Sequence, residues 1–393
     1  MPAVTVLSGF SPAATHAVAR TLLADDPRRI LIRHDLTGVR DGVVHRIVRT
    51  AREVLEDEQV TLVHGCVSCT LREDVLPTLV RMARAHPDRD QVLLLPEAVE
   101  PEAVAAAARW CLVDGALVTD HVRFDSHTTV VDAGRLLDDI TSTDSLSDRA
   151  LHAADDDHRA VADVVARQIE YADTVVMWGE APDGAFDGAR LAVLLQRLAP
   201  WATHVPAAGF RPEARHRPDT PGVLARGLEG YPVGVHEPVA DCGVVSVLFR
   251  ARRPFHAERL NDALGAIVSP TLRGRGHLWL ANRPDTAIAW DSAAGGLSMG
   301  SLGRWLAAQP EERWEEASEG RRLAAAVEWD PYYGDRGNQL AFVGLGLDAA
   351  ELHRRLAACL VTDDELAAGE DTWMTWADPF AGCLRVGENP VRD

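Results

Sequence analysis

Cys66 and Cys69 form a Cys-x-x-Cys beside His64, with His34 and Asp35 at the end of an earlier strand-like run. Thiolate and imidazole are the ligands zinc prefers, and four of them complete a structural site. The same spacing suits two other readings. A helix starting near Thr70 would lower the pKa of Cys69 and favour dithiol redox chemistry, although no other thioredoxin-like signature accompanies the pair. Two half-buried cysteines packed at a helix start would need no chemistry at all. Zinc is the reading carried forward. A second set of residues is basic: Arg250, Arg252, Arg253, Arg259, Arg273, Arg275 and Arg283 crowd one stretch, with His256, His277, Phe255 and Trp279 among them. Arginine beside exposed aromatics is a surface for RNA phosphates or an acidic tail, while a structural role for the Arg-Pro-Phe-His segment is the plainer alternative.

The opening strand Val4–Leu7 runs into Gly9 and a helix, which is the place for a phosphate-binding loop. A working loop reads G-x-x-x-x-G-K-[ST]: its backbone N–H groups and lysine hold phosphates and its hydroxyl holds magnesium. Counted from Gly9, those positions hold Ala14, Thr15 and His16, and Pro12 removes one N–H. No lysine exists anywhere in the chain to substitute; all 40 basic side chains are arginine. A base-reading N-K-x-D is also missing, since the late strand Thr174–Met177 ends in Trp178-Gly179-Glu180-Ala181. GTP is therefore not expected as a ligand. Asp155–Asp157, between His152 and His158, reads as an acidic, solvated helix start.

These residues must be positioned by alternating strands and helices. Val4–Leu7, Ile30–Arg33, Val60–Val63, Val92–Leu95, Thr129–Val131 and Thr174–Met177 are strand-like, and Ala14–Leu23, Val43–Leu55 and Leu71–Ala85 carry helical spacing. Such alternation implies a parallel sheet covered on both faces, with its ligand crevice beyond the carboxyl ends of the strands. The loops after Leu7, Arg33, Val63 and Leu95 would meet there. The expected division is an α/β domain over 1–205, a Pro/Gly-rich linker over 206–242, a smaller α+β domain over 243–383 and a tail over 384–393. The second domain is expected from Val244–Phe249, a helix His256–Ile267, His277–Leu280, Ile288–Trp290, helices near Pro310–Ala325 and Ala349–Leu360, and a strand Leu340–Val343.

The 393 residues suit two domains at about 150 each. A net charge of −19 argues against broad attraction to nucleic acid or anionic membrane. No long apolar run or leader-like start appears, and six cysteines do not make a disulfide scaffold, so a reducing cytoplasm is expected.

Four ordered segments resemble the CobW family of P-loop GTPases and metal chaperones: Val4–Phe10; Gly65-Cys66-Val67-Ser68-Cys69-Thr70-Leu71-Arg72, similar to its G-C-x-C-C-T-L-R metal motif; Gln168–Asp173; and a carboxyl-terminal domain marked by Arg253-Pro254-Phe255-His256, Gly276–Ala281, Trp290-Asp291-Ser292-Ala293 and Gly334-Asp335-Arg336. The resemblance implies a degenerate P-loop GTPase-like parallel sheet domain followed by a smaller α+β CobW carboxyl-terminal domain. It implies that Asp35 matches an acidic metal ligand, so that Cys66, Cys69, Asp35 and His64 would hold zinc, and that Glu97 is the remnant of an acid near magnesium. Ser68 stands where the family has its middle cysteine, and the family's histidine-rich loop is missing. A branch reading G-C-V-S-C-T without a phosphate loop resembles mycobacterial proteins that recruit protein Y, a ribosome hibernation factor. That likeness implies a zinc-responsive, non-hydrolysing adaptor of zinc starvation, meeting the ribosome or its hibernation factor through Arg252, Arg253, Arg273 and Arg275. The alternatives are a GTP-dependent zinc metallochaperone with an altered phosphate loop, and a scaffold without metal.

Overall fold

A computed structural model describes residues 1–154 and 157–382. They divide into two compact units, Met1–Thr220 and Pro221–Asp393.

The first unit is built on an eight-stranded sheet. Its strands are β1 (Ala3–Ser8), β2 (Ile30–Asp35), β3 (Val43–Arg49), β4 (Val54–Thr61), β5 (Gln91–Leu94), β8 (Arg123–Asp132), β9 (Thr174–Trp178) and β10 (Thr203–Pro206), with a small separate hairpin of β6 (Leu112–Val113) and β7 (Ala116–Leu117). The spatial order is β10-β9-β8-β1-β5-β2-β3-β4. Six strands are parallel, because helices carry the chain back between them: α1 (Pro12–Asp25), α3 (Leu76–Ala85), α4 (Pro101–Trp110), α6 (Val161–Tyr171) and α7 (Ala185–Leu198). Alternation along each strand feeds two cores. Val4, Val6, Ile32 and Leu93 pack under α3 and α4, whereas Leu7, Val92, Leu94 and Val130 pack under α1.

Val43–Leu55, expected as a helix, is instead the antiparallel edge formed by β3 and β4. Val44, Arg46 and Val48 are the buried set of β3, so a charged side chain occupies a core position and hides the period-two pattern. Two antiparallel reversals return β4 to the direction of β2. Its end at Thr61, paired with Val43, thus lies on the same side of the sheet as Asp35, paired with His45. The crevice-side placement expected for the cysteine loop is reached by this longer route.

The second unit is a six-stranded antiparallel sheet ordered β11-β12-β16-β13-β14-β15. Its strands are β11 (Glu237–Asp241), β12 (Val244–Ala251), β13 (Arg273–Leu278), β14 (Thr286–Ala293), β15 (Gly296–Arg304) and β16 (Asn338–Leu345). α8 (Ala257–Val268) and α10 (Ala349–Ala358) cover one face around Phe249, Phe255, Leu260, Leu352 and Leu356; a second cluster gathers Trp279, Trp305 and Trp373. The Pro/Gly-rich stretch expected as a linker is shared by the two units and has its own anchors: Phe210, Val223, Leu228 and Val233 are buried. Position 384 onward, and Asp155 and Asp156 of the acidic run, lie outside the described residues. The neighbouring Asp157 pairs with Arg159.

Candidate metal centre and crevice

The Cys66–Cys69 turn is held from three directions. Gly65 passes so close to the Val39 carbonyl that a Cβ would sit 2.1 Å from its oxygen, so only glycine fits. Cys66 caps a short helix, α2 (Val67–Thr70), and its sulfur accepts the Cys69 N–H at 3.1 Å. A π-turn, Leu71–Val75, then joins α2 to α3; such turns recur at functional sites because they re-aim side chains. This one drives Asp74 inward. His34 Nε2 meets Asp74 Oδ2 at 2.7 Å, Arg46 bonds the other carboxylate oxygen, and Arg46 also reaches Glu56 and Glu58 at 3.0 and 2.6 Å. Burial alone would raise the Asp74 pKa, but His34 and Arg46 outweigh it and hold the carboxyl below its usual range. On the other side, the Val63 N–H donates to Glu73.

The two sulfurs lie 2.7 Å apart and both cysteines are free thiols. The Cys69 thiol is raised, first by its contact with Cys66, then by burial and by the charge of Glu73. That direction is opposite to the lowering that a helix start would give Cys69. The expected four-ligand set also shrinks. Asp35 is turned to Thr37, whose N–H and hydroxyl it accepts, chiefly those bonds lowering its pKa. His64 is exposed. Among the described residues no third donor lies within 4.8 Å of both sulfurs. His34, sequence neighbour of Asp35, is committed to Asp74.

Beside the turn lies a crevice of about 460 Å³ at the carboxyl ends of β1, β2 and β5, lined among others by His16, Arg33, Asp35, Val67, Glu97 and His152. On its β1–α1 side the positions of a G-x-x-x-x-G-K-[ST] loop are occupied differently. Only Gly9–Ser11 separate β1 from α1, which starts at Pro12. Ala14, Thr15 and His16 are helical; Thr15 bonds the Ser11 carbonyl, and His16 bridges the Pro12 carbonyl to Arg33. A Cβ on Gly9 would lie 2.4 Å from the Val130 carbonyl, so this glycine serves close packing. Glu97 remains on the crevice wall, where the family's acid was expected.

The arginines expected to meet a partner are placed otherwise. Arg273 and Arg275 are 1% and 2% exposed. Both lie on one side of β13, two residues apart, where Arg273 pairs with Asp291 and Arg275 donates to the Val233 carbonyl at 2.6 Å. Two members of the basic cluster in sequence are thus internal in space, one paired with a carboxylate and one bonded to a backbone carbonyl. Arg252 and Arg253 are partly exposed and paired with Glu328 and Asp363, and Arg259 and Arg283 pair with Glu365 and Asp378.

Residues 38–179 match the family described as CobW/HypB/UreG, nucleotide-binding domain, and 244–360 match the Cobalamin synthesis protein cobW C-terminal domain. A Mycobacterium tuberculosis protein named a zinc chaperone is 33% identical over 371 residues, covering 89% of this chain and 86% of its own. The chain belongs to the CobW family. The nucleotide-binding match starts after β1, α1 and β2. A zinc-regulated GTPase metalloprotein activator of Dictyostelium discoideum is 26% identical over 96% of this chain and 83% of its own. A Sinorhizobium zinc chaperone CobW is 28% identical over 44% of this chain and 49% of its own. Among solved structures, the Zn(II)-bound YjiA GTPase of E. coli aligns over 92% of this chain and 99% of its own, with 14% identity and a TM-score of 0.38. None of the helices described here is long and apolar enough to cross a membrane.

Proposed function

We propose that this CobW-family chain handles zinc as cargo, capturing it through Cys66 and Cys69 beside the crevice. The observation that carries this reading is the convergence of the two sulfurs on a turn braced by Asp74, His34 and Arg46. Two thiolates supply half of a tetrahedral zinc shell. A structural site closes all four positions; one that leaves two open can pass its ion to a partner's ligands. The names of relatives, zinc chaperone and zinc-regulated metalloprotein activator, support the same direction. The test is a competition titration against a fluorescent zinc chelator with the parent, Cys66→Ser, Cys69→Ser and Asp35→Asn. Loss of tight zinc in both cysteine variants and its retention in Asp35→Asn is the expected result. Unchanged affinity in either cysteine variant would remove the proposal.

Zinc handling coupled to GTP is the second reading, favoured by the name of the Dictyostelium relative. The short turn into α1 and the missing lysine weigh against phosphate transfer here. A fluorescent GTP analogue with magnesium separates the two: micromolar binding would place nucleotide in the crevice. The ribosome and hibernation-factor reading gains no support from the relatives' names, and half of its proposed contact surface is internal.

A further inference from the structure

Three donors that play no part in the Cys66–Cys69 site meet where the amino end of β9 lies beside the middle of β8. His127 lies on β8, Asp173 immediately precedes β9, and His216 lies on the segment that follows β10. His127 is fully buried and neither of its ring nitrogens has a hydrogen-bond partner. The His216 ring stacks on it with centroids 4.2 Å and planes 4° apart. Asp173 Oδ2 is 3.2 Å from His216 Nδ1 and accepts the His127 backbone N–H at 2.8 Å. Among the described residues this is the only group of three such donors whose ligand atoms all lie within 4.8 Å of one another.

The arrangement is held in place. The backbone N–H groups of Arg215 and His216 donate to the Asp125 carbonyl at 2.8 and 2.9 Å, and Arg109 donates to the Pro218 carbonyl at 2.7 Å. The loop is thereby pinned to β8. A cavity of about 310 Å³, lined by Phe124, Arg109, Arg123, His127 and His216, gives the site a route to solvent. Arg123 is neutralised by Asp125. A buried imidazole with both nitrogens unsatisfied calls for an explanation, and a metal ion supplies one.

We propose that His127, Asp173 and His216 form a second transition-metal site, for Zn(II) or a similar borderline divalent cation. Two imidazoles and one carboxylate, with a fourth position open to the cavity, match the donor set such ions take. Because the stacked rings do not aim at a common point, His216 turns about its Cβ–Cγ bond when the ion enters, breaking the stack. This site is independent of the cysteine cargo site and lies at the other end of the strands.

The test uses full-length protein stripped with a chelator, carrying Cys66→Ser and Cys69→Ser to silence the thiols. Zinc competition is expected to leave one equivalent bound, and Co(II) is expected to show bands of nitrogen and oxygen ligands without a thiolate charge-transfer band. Adding His216→Ala or Asp173→Asn is expected to abolish that equivalent or weaken it at least tenfold. His216→Ala alone, with cysteines intact, is expected to keep one zinc and the parent's far-ultraviolet dichroism, which separates loss of the site from loss of fold. No zinc in the double-cysteine variant, or full binding after His216→Ala is added, would overturn the proposal.

Discussion

A buried carboxylate braces the cysteine turn from just beyond it. Asp74 is shared by His34 and Arg46, and all three are almost fully enclosed. Removing Asp74 takes a buried acceptor from both His34 and Arg46, although Arg46 keeps Glu56 and Glu58. Asp74→Ala is therefore expected to lower unfolding stability in urea by about 1–3 kcal/mol, the cost of buried donors left short of an acceptor, and to weaken zinc capture, because the π-turn loses its tether. Parent-like denaturation midpoints would show that the network is not a brace. Cys66→Ser and Cys69→Ser remove ligands instead of supports. Outer-shell changes already cost metal sites about 10–100-fold, so losing a direct ligand should cost at least that, with little change in folding.

At the scale of elements, β13 separates two kinds of arginine that look alike in sequence. Arg273 is enclosed with Asp291, whereas Arg253 is 40% exposed against an Asp363 that is 86% exposed. Arg273→Ala should cost about 3–5 kcal/mol and Arg253→Ala about 0–1 kcal/mol, measured by chemical denaturation. Equal costs would mean that the two ion pairs are not distinguished by burial. The β1–α1 turn makes a second prediction. Restoring the missing letters with Ala14→Gly, Thr15→Lys and His16→Ser should not restore GTP binding. The helix still begins at Pro12, leaving only Gly9–Ser11 for a loop that must wrap phosphates. Tight binding by that triple variant would show that side chains, not loop path, were lacking.

For the whole molecule, acid should destabilise before carboxylates titrate. Burial, then the charge of Arg321, pushes the His277 pKa down to about 3; burial and then His216 do the same to His127. Above about pH 6.5 these imidazoles are neutral folded or unfolded. Below it the unfolded chain takes up protons that the folded chain refuses, so stability falls with pH until about 3. Asp74 acts in a lower window, because its depressed pKa postpones its loss to below 3.8. Thermal midpoints in chelating buffer should therefore drop between pH 6.5 and 4.5, and His277→Gln should reduce that slope while His127 keeps its share. An unchanged slope would acquit His277. The absence of lysine has its own signature: an amine-reactive reagent should label at most one site per chain, the terminal amine.

Alternation of apolar runs was enough to place five of the six parallel strands, α1 and α3, and four strands of the second sheet, since hydrophobic period follows local geometry directly; β10 was missed, and Val60–Val63 proved to be the end of the antiparallel β4. The cysteine pair and the departure from G-x-x-x-x-G-K-[ST] could be read at all for the same reason: both are short motifs defined by residue type. The rest depended on distant partners. Arg46 made β3 look helical because its core position is tolerable only with Asp74 from the π-turn. Arg273 looked like surface because Asp291 lies on the neighbouring strand. His127, Asp173 and His216 carried no pattern at all, being 46 and 43 residues apart. Only parallel pairing of β8 with β9, and a loop pinned back to Asp125, bring them together. Burial of charge and convergence of donors are properties of through-space neighbours, and those were set by the tertiary fold.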